Sequence, residues 1–426
     1  MKKQLILTLL LSVICFTANA QFDKYFESGA LRMDYLHAGD NTHETYYFSN
    51  ISHETYWAGN KSNVIDSKEY GTQLVKIFDV KSGKLIFSRG HCTLFNEWLF
   101  TNEASTSRRA FRESIQFPTP KNKVRVEIYK RNKKGNFIKG FSQIIDPKKY
   151  DIAPAKIDFK TIDLEYHGHF SKKLDIVLLA EGYDATQYDL FVADCKKYVE
   201  DIFSFSPYKE RRKDFNIRAV WTPSKDSGVT IPGENIWRNT AFGGRFYTFD
   251  SERYFTIEDY TEVCMVAGSV PYDAIYILGN TLKYGGGGIY NFYAIGSARN
   301  KELAGEVHVH EMGHSICGLT DEYAANGVTN EMYNSKVEPW EENITTLADF
   351  KKKEIWNSLL SKNIDIPTQL NEKTENKVAV FEGAGYSEKG VYRPKKNCMM
   401  RAFDGSGLFC PICKEAINRT IDRYTK

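Results

Sequence analysis

The sequence predicts a multidomain protein of mixed α/β and α+β class, in which a β-sandwich precedes a domain with a mixed, twisted sheet and a functional helix. Residues 21–150 show strand-like alternation around Gly-containing turns, whereas residues 151–426 alternate strands with helices. The length of 426 residues also exceeds what one hydrophobic core usually supports. Hydrophobic residues make up 42% of the chain and charged residues 26%, so both domains have an ordinary globular composition.

The first twenty residues predict a cleavable signal peptide. Lys2 and Lys3 form a basic start, Leu5–Phe16 is apolar, and Ala18–Ala20 has the small residues of a cleavage site. The apolar run is too short to span a bilayer. We therefore expect an exported protein that begins near Gln21 and resides in the periplasm, on the outer surface or outside the cell.

Charge and hydropathy argue against two classes of partner. The formal net charge is +3, and no dense block of Lys and Arg with interleaved aromatic residues is present, so we expect no nucleic-acid partner. After the leader, no stretch is long and apolar enough to predict a membrane span. These features leave the oligomeric state open.

Cysteine usage fits an exported chain. Cleavage would leave seven cysteines, which are Cys92, Cys195, Cys264, Cys317, Cys398, Cys410 and Cys413. An odd number leaves at least one thiol unpaired within the chain. Cys410-Pro-Ile-Cys413 has the spacing of a redox motif or of half a zinc ribbon, but no second Cys pair accompanies it. We therefore expect a structural disulfide or buried thiols here, with the pairing left open.

Two hairpins are visible in the predicted N-terminal domain. Leu74–Val80 pairs with Leu85–Ser88, and Val124–Tyr129 pairs with Phe137–Ile145, each around a Gly-containing turn. Period-two alternation over this length predicts a β-sandwich of roughly immunoglobulin size. Asp146–Lys160 contains two prolines and is the expected linker.

The second domain begins with a different pattern. Leu174–Ala180 is a continuous apolar run, which is typical of a strand buried on both faces. Helical spacing of apolar residues follows over Gln187–Phe203, and two further strands are expected at Phe215–Trp221 and Tyr272–Leu278. This alternation predicts a central sheet covered by helices.

A glycine-rich segment, Tyr284–Gly288, has two interpretations. A phosphate-binding loop is excluded, because no Lys-Ser/Thr pair follows the glycines. A flexible turn is slightly favoured. The alternative is an edge strand whose glycines let an extended peptide approach and add as another strand.

The segment with the clearest chemistry is His310-Glu311-Met-Gly-His314. Residues 301–317 contain no Pro and predict a helix, which Gly318 would end with a left-handed cap. Residues four apart share one helical face, so His310 and His314 can present their imidazoles to one metal ion. Glu311 would lie beside them as a general base.

Zinc suits this pattern, because it accepts nitrogen and oxygen ligands tetrahedrally and leaves a position open in catalytic sites. The chemistry expected is hydrolysis of a peptide bond by water that the metal activates and Glu311 deprotonates. Asp321 is the expected third ligand, since a cap at Gly318 turns the chain back towards the metal. Alternatives remain open, and they are Glu322, Glu331, Glu338 and Glu341. His308 lies on a different helical face, so we expect it to pack in the core or to support the metal ligands without contacting the metal.

These residues resemble the metzincin peptidases, whose pattern is H-E-x-x-H-x-x-G-x-x-H/D followed by a methionine-containing turn. Here Ser315–Cys317 contribute one residue more than that pattern before Gly318, and Asp321 follows at the family spacing. The resemblance implies a methionine turn within residues 393–401, for which Met400 is favoured over Met399. General core packing is the alternative role for these methionines.

A closer resemblance rests on Leu319–Tyr323, Gly390–Pro394, Cys398–Arg401 and Phe409–Cys413. Together these segments resemble the IgA-peptidase family of zinc metallo-endopeptidases, in particular its two-domain members from Bacteroides-type bacteria. The resemblance covers residues 160–420, approximately, and the N-terminal β-domain is also similar. It implies a zinc endopeptidase without implying that immunoglobulin A is the substrate.

The leading hypothesis is therefore a secreted zinc endopeptidase that cuts a protein or glycoprotein, with host immunoglobulin among the candidates. Tyr323 and Tyr392 are candidate oxyanion or substrate residues, and Tyr386 lies in a similar segment, with packing as the default role of all three. One alternative function is a surface module that binds glycan or protein and carries a secondary metal site. Another is a zinc amidase that acts on cell-wall peptides.

Overall fold

The computed structural model describes residues 21–149, 151–155, 159–300, 302–324, 332–403 and 408–426. The predicted signal peptide lies outside the described residues. Within the described ranges, no helix has the length and apolar character needed to cross a membrane.

The first part of the chain is built from strands. Its elements are β1 Phe26–Gly39, β2 Glu44–Glu54, β3 Gln73–Asp79, β4 Leu85–His91, α1 Leu94–Trp98, β5 Arg109–Pro120, β6 Val124–Arg131, β7 Phe137–Ile145 and β8 Ala153–Pro154. They form two four-stranded sheets, in the orders β5-β1-β2-β8 and β4-β3-β6-β7. The β3–β4 and β6–β7 hairpins that the alternation predicts are confirmed.

The two sheets share one hydrophobic core. Met33 of β1 and Phe117 of β5 come from the first sheet, and Ile77 of β3 and Val126 of β6 come from the second. Because alternate residues of each strand point to the same face, the apolar sets of both sheets meet in the middle. The arrangement is a β-sandwich, as the pattern of short alternating strands predicts.

The second part of the chain alternates strands with helices. Its elements are β9 Lys160–Glu165, β10 Leu174–Glu181, α2 Tyr188–Ile202, α3 Tyr208–Arg211, β11 Phe215–Trp221, α4 Tyr260–Ala267, β12 Ala274–Gly279, β13 Gly286–Ile289, β14 Tyr293–Ser297, α5 Ala304–Cys317, α6 Glu354–Leu359, β15 Phe381–Ala384, β16 Ser387–Arg393 and α7 Pro411–Thr425. Six strands form a mixed sheet in the order β13-β14-β12-β10-β11-β9, with β15 and β16 in a separate hairpin.

Strand β10 lies at the centre of this sheet, parallel to both β11 and β12. All eight of its residues are buried, as the continuous apolar run predicts. Ile176 and Leu178 face a cluster that includes Met312 of α5, whereas Val177 and Leu179 face a second cluster on the opposite side. The sheet therefore has a hydrophobic core on each face, and α5 belongs to one of them.

Gly286–Ile289 of the glycine-rich segment form edge strand β13, so the prediction of a flexible turn is wrong for these residues. The backbone of Gly286 is bonded on its outer side, because its N–H donates to Arg253 O at 3.3 Å and its carbonyl accepts from Phe255 N at 3.1 Å. An added peptide strand would therefore have to displace these bonds at Gly286. Helix α5 packs against the same strand so closely that a Cβ atom on Gly288 would collide with the carbonyl oxygen of Glu311.

Contacts join the two parts of the chain. Arg89 of β4 donates to the carbonyl of Asp273 at 3.1 Å and to Asn291 Oδ1 at 3.2 Å. The N–H of Cys92 donates to the carbonyl of Tyr290 at 2.8 Å. The loop after β4 therefore lies beside the end of β13, which places the N-terminal sandwich close to helix α5.

Candidate metal centre

Helix α5 carries the two predicted histidine ligands and ends at Gly318, which has a φ of +63°. The N–H of Gly318 bonds to His314 O and that of Leu319 to Gly313 O, both at 3.0 Å, so the last turn is closed by a left-handed cap. A side chain at Gly318 would also collide with the ring of Trp340. The cap reverses the chain and brings residues 319–322 back alongside the helix.

The structure brings His310, His314 and Asp321 together. The two Nε2 atoms are 3.0 Å apart, and Asp321 Oδ1 lies 3.2 Å from His310 Nε2 and 3.6 Å from His314 Nε2. All three are therefore close enough to contact one ion. The extra residue before Gly318 does not move Asp321 out of reach.

Backbone carbonyls determine which ring nitrogens carry protons. His310 Nδ1 lies 3.0 Å from Met399 O, and His314 Nδ1 lies 2.6 Å from Leu319 O. A carbonyl oxygen can only accept, so each Nδ1 is the donor and, in the neutral ring that binds a metal, each Nε2 presents a lone pair. Asp321 Oδ1 is buried and has no hydrogen-bond donor. Three acceptors thus converge on one point, an arrangement that fits a bound cation.

The electrostatics agree with that arrangement. Burial by itself would lower the pKa of His314, but Asp321 and Glu311 outweigh it and raise that pKa to about 9. Burial would raise the pKa of Asp321, but His314 and His310 hold it well below its usual range. The three groups together therefore favour bound positive charge.

Glu311 lies between the histidines and edge strand β13. Its residue is 9% exposed, and a Cβ atom on Gly286 would approach its Oε1 to 2.7 Å. Burial is the main reason that the pKa of Glu311 is raised, while His310 and His314 counteract it. The absence of a side chain at Gly286 leaves the space that the carboxylate occupies.

The methionine segment lies beneath helix α5. Met400 is fully buried, and its Sδ would be 2.9 Å from a Cβ atom on Gly313, so the thioether contacts the helix between the two histidines. Met399 contributes through its carbonyl, which holds His310. Both methionines weighed from the sequence therefore contact the predicted ligand helix or its ligand.

The candidate tyrosines occupy different places. Tyr386 donates a hydrogen bond to Asp321 Oδ2, and the ring of Tyr323 packs edge-on against Tyr386 with centroids 5.2 Å apart. Tyr392 lies in β16, where its backbone pairs with Thr345. Among the described residues, no contact joins Tyr392 to the histidines or to Asp321. Tyr386, which the sequence did not distinguish from its neighbours, therefore touches the cluster, and Tyr323 also lies close enough to Asp321 for that carboxylate to raise its pKa.

The alternative third ligands point elsewhere. Glu338 accepts from the N–H of Asp349 at 3.0 Å, and Glu341 accepts from Tyr333 at 3.1 Å. Glu322 faces a cysteine cluster, and Glu331 lies outside the described residues. His308 lies 2.9 Å from the hydroxyl of Tyr276 in the core, consistent with the packing role expected for it.

Two residues near the cluster belong to no sequence motif that would have predicted their position there. Glu97 of α1 accepts a hydrogen bond from Tyr254, and burial is the main reason that its pKa is raised to about 7. His314 is close enough to lower that pKa. The ring of Phe403 packs edge-on against His310 with centroids 5.4 Å apart. Both residues are distant from α5 in sequence, so only the fold reveals them.

Comparison with protein-family models matches residues 162–377 and 369–421 to the family described as IgA Peptidase M64. Residues 21–142 match the family described as Peptidase M64 N-terminus. The chain belongs to the IgA peptidase M64 family. The family resemblance seen in the sequence motifs is thereby confirmed, and this family member is a peptidase with protein as its substrate class. A comparison with curated proteins gives no match.

Proposed function

We propose that this M64 family member is an exported zinc endopeptidase in which His310, His314 and Asp321 hold the metal and Glu311 is the general base. This proposal rests on the arrangement next to Glu311, where two imidazole nitrogens converge on a carboxylate oxygen of Asp321 that accepts no hydrogen bond. The basic and apolar pattern of the first twenty residues supports export.

The donor set favours zinc over magnesium and calcium. Magnesium and calcium prefer all-oxygen sites, whereas two imidazoles and one carboxylate match the three protein ligands of catalytic zinc sites. When bound there, zinc polarises a carbonyl and acidifies a water molecule to a pKa of about 7. His310 and His314 are 12% and 15% exposed at their side chains, so the ligand face remains accessible to a substrate.

The residues of the chain then have separate tasks. The carbonyls of Met399 and Leu319 hold the two imidazoles in the tautomer that presents Nε2. Tyr386 orients Asp321 through its second oxygen. Glu311 accepts a proton from water at its carboxylate and returns it to the amine nitrogen of the leaving group. A raised pKa suits this exchange, because the carboxyl must both accept and donate.

The Glu311→Gln variant tests the proposal. It should lose at least about 100-fold in proteolysis and keep its zinc, since general acid–base catalysis contributes roughly 10²–10⁴-fold. Protein from residue 21 onward would be assayed on casein and on IgA, which the family description names as a substrate, with zinc measured per chain. Glu306→Gln is the matched control, because Glu306 lies on the same helix in its first turn.

An active Glu311→Gln variant would contradict the proposal, as would a wild-type protein that binds zinc and cuts no protein. Peptidoglycan peptides belong in the same assay. Cleavage of these peptides alone would assign a cell-wall amidase in place of an endopeptidase.

A further inference from the structure

A second group of potential metal ligands lies in the core beside the candidate catalytic centre. Glu322, Cys398, Cys410 and Cys413 are each no more than 3% exposed, and their ligand atoms all lie within 4.8 Å of one another. The geometry points to a structural zinc ion bound by these four side chains. This inference goes beyond the proposed function and does not depend on it.

The distances within the group match tetrahedral coordination. With Zn–S bonds of about 2.3 Å, two thiolates on one zinc ion lie about 3.8 Å apart, and a thiolate and a carboxylate oxygen lie about 3.5 Å apart. Cys398 Sγ and Cys413 Sγ are 3.7 Å apart. Glu322 Oε1 lies 3.1 Å from Cys413 Sγ and 4.0 Å from Cys410 Sγ, which brackets the expected distance.

Glu322 provides an independent reason for a cation. Its residue is fully buried, and its Oε2 has no hydrogen-bond partner. Oε1 accepts from Asn343 at 3.0 Å, but in the described part of the chain no Lys, Arg or His side chain forms an ion pair with this carboxylate. An isolated buried carboxylate is strongly unfavourable. A metal ion held with three thiolates would compensate its charge.

The local backbone around the cysteines is also suited to thiolates. Cys410 is the N-cap of α7, and the N–H of Cys413 donates to Cys410 Sγ at 3.4 Å. The N–H of Cys410 donates to Cys398 Sγ at 3.2 Å. Cys-x-x-Cys is a common zinc-ligand spacing, and the tertiary fold supplies the remaining two ligands that the sequence pattern lacks.

A disulfide is the competing explanation, and it accounts for fewer of the observations. The described cysteines are free thiols, and the Sγ atoms of Cys398 and Cys413 are well beyond the S–S bond length of about 2.05 Å. A disulfide between any two of the three cysteines would leave Glu322 buried without a cation. It would also remove two of the available ligands.

The second site is directly linked to the first. Glu322 follows Asp321, and Cys398 precedes Met399, whose carbonyl holds His310. The N–H of Glu322 donates to Met400 O at 2.7 Å, which joins the two segments. A zinc ion at the second site would therefore anchor the chain on either side of Asp321 and the methionine segment. All four positions are filled by protein atoms, which is typical of a structural rather than a catalytic site.

Metal content and thiol content together test this inference. Protein from residue 21 onward would be purified without added reductant or chelator, and zinc would be measured per chain. We expect two zinc ions in the wild type, one of them at the catalytic site proposed above, and one ion fewer in Cys413→Ala. Cys195→Ala should keep both, because Cys195 is a buried thiol of α2 outside the group. Under denaturing conditions with chelator, all seven thiols should react.

Spectroscopy on the intact protein keeps the test valid if Cys413→Ala fails to fold. Cobalt-substituted wild type should show an intense thiolate-to-cobalt charge-transfer band, which a site with His310, His314 and Asp321 alone cannot produce. Zinc X-ray absorption should show scattering from sulfur at about 2.3 Å. The inference would be overturned by a single zinc ion per chain without sulfur ligands. It would also be overturned if two of the seven thiols failed to react. A protein that cuts no substrate would contradict the proposed function, but it would leave the expected cobalt band and the zinc–sulfur scattering unchanged.

Discussion

Two neighbouring residues, Asp321 and Glu322, point into two different ligand clusters. Asp321 joins two histidines whose side chains are 12% and 15% exposed, whereas Glu322 joins three cysteines that are almost completely buried. Neither residue lies in a helix, and neighbouring side chains outside a helix can point to opposite sides of the chain. One short segment would therefore serve both the catalytic site that we propose and the structural site that we infer.

The ligand types of the two clusters differ in a way that agrees with their different exposure. Nitrogen and oxygen ligands with an open position suit a reactive metal, whereas thiolates in a closed set suit a structural one. The accessible cluster also has Glu311, the general base that we propose, close to its two histidines.

The largest expected effect comes from Asp321→Ala. Losing a direct ligand should cost more than the roughly 100-fold in affinity that loss of an outer partner costs, so the accessible site should empty and proteolysis should cease. Zinc analysis should still find the ion with sulfur ligands. Loss of both ions from a folded Asp321→Ala protein would show that the two clusters are not independent.

Gly286→Ala should separate the general base from the metal. The new Cβ atom would lie 2.7 Å from Glu311 Oε1, so the carboxylate must move. A displacement of about 1 Å at a reacting group can cost about 100-fold in rate. We expect kcat to fall by that order while both zinc ions are retained. An unchanged kcat would mean that the position of Glu311 against β13 is unimportant.

Tyr386→Phe should have a smaller effect that is confined to the accessible site. Removing the hydroxyl frees Asp321 Oδ2, and loss of such an outer partner typically costs 10–100-fold in metal affinity. Competition with a chromophoric chelator measures that affinity. Tyr392→Phe is the matched control, because Tyr392 has no described contact with the cluster. Equal weakening by both substitutions would argue against this role of Tyr386.

The smallest effect on either cluster is expected from Glu44→Gln, in the N-terminal sandwich. Burial would raise the pKa of Glu44, but hydrogen bonds with His37, Tyr46 and Lys130 lower it to about 2. Since the folded pKa lies below the unfolded value of about 4.5, Glu44 stabilises the fold above that value, and this stabilisation is lost as pH falls towards about 2.

Glu44→Gln should therefore lower the free energy of unfolding at pH 7 by up to about 3 kcal/mol, without changing metal content at that pH. Urea unfolding at pH 7 and near pH 3 measures this difference, which should narrow in acid. A difference of the same size at both pH values would refute the assignment. The variant also distinguishes acid unfolding of the sandwich from acid release of metal, because metal ligands must themselves be deprotonated.

Local patterns predicted much of this molecule. A continuous apolar run predicted the buried central strand, and alternation of apolar and polar residues predicted the two N-terminal hairpins. The spacing of His310 and His314 placed both on one face of the predicted helix. Gly318 as a left-handed cap also follows, because few other residues adopt that conformation without strain. The turn favoured for the glycine segment was wrong, because pairing with β14 and packing against α5 decide its conformation.

The sequence by itself determined which residues can act, since spacing on one helix places two imidazoles on one face beside a carboxylate. Only the tertiary structure decided which distant residues join them. Tyr386, Phe403 and Glu97 reach the first cluster from separate segments, and Cys398 completes the second. Their positions depend on how strands and helices that are distant in sequence pack together. The periodicity of apolar residues reflects local secondary structure and contains no information about that packing. The sequence therefore predicted one metal site, and the fold revealed the group that we infer to be another.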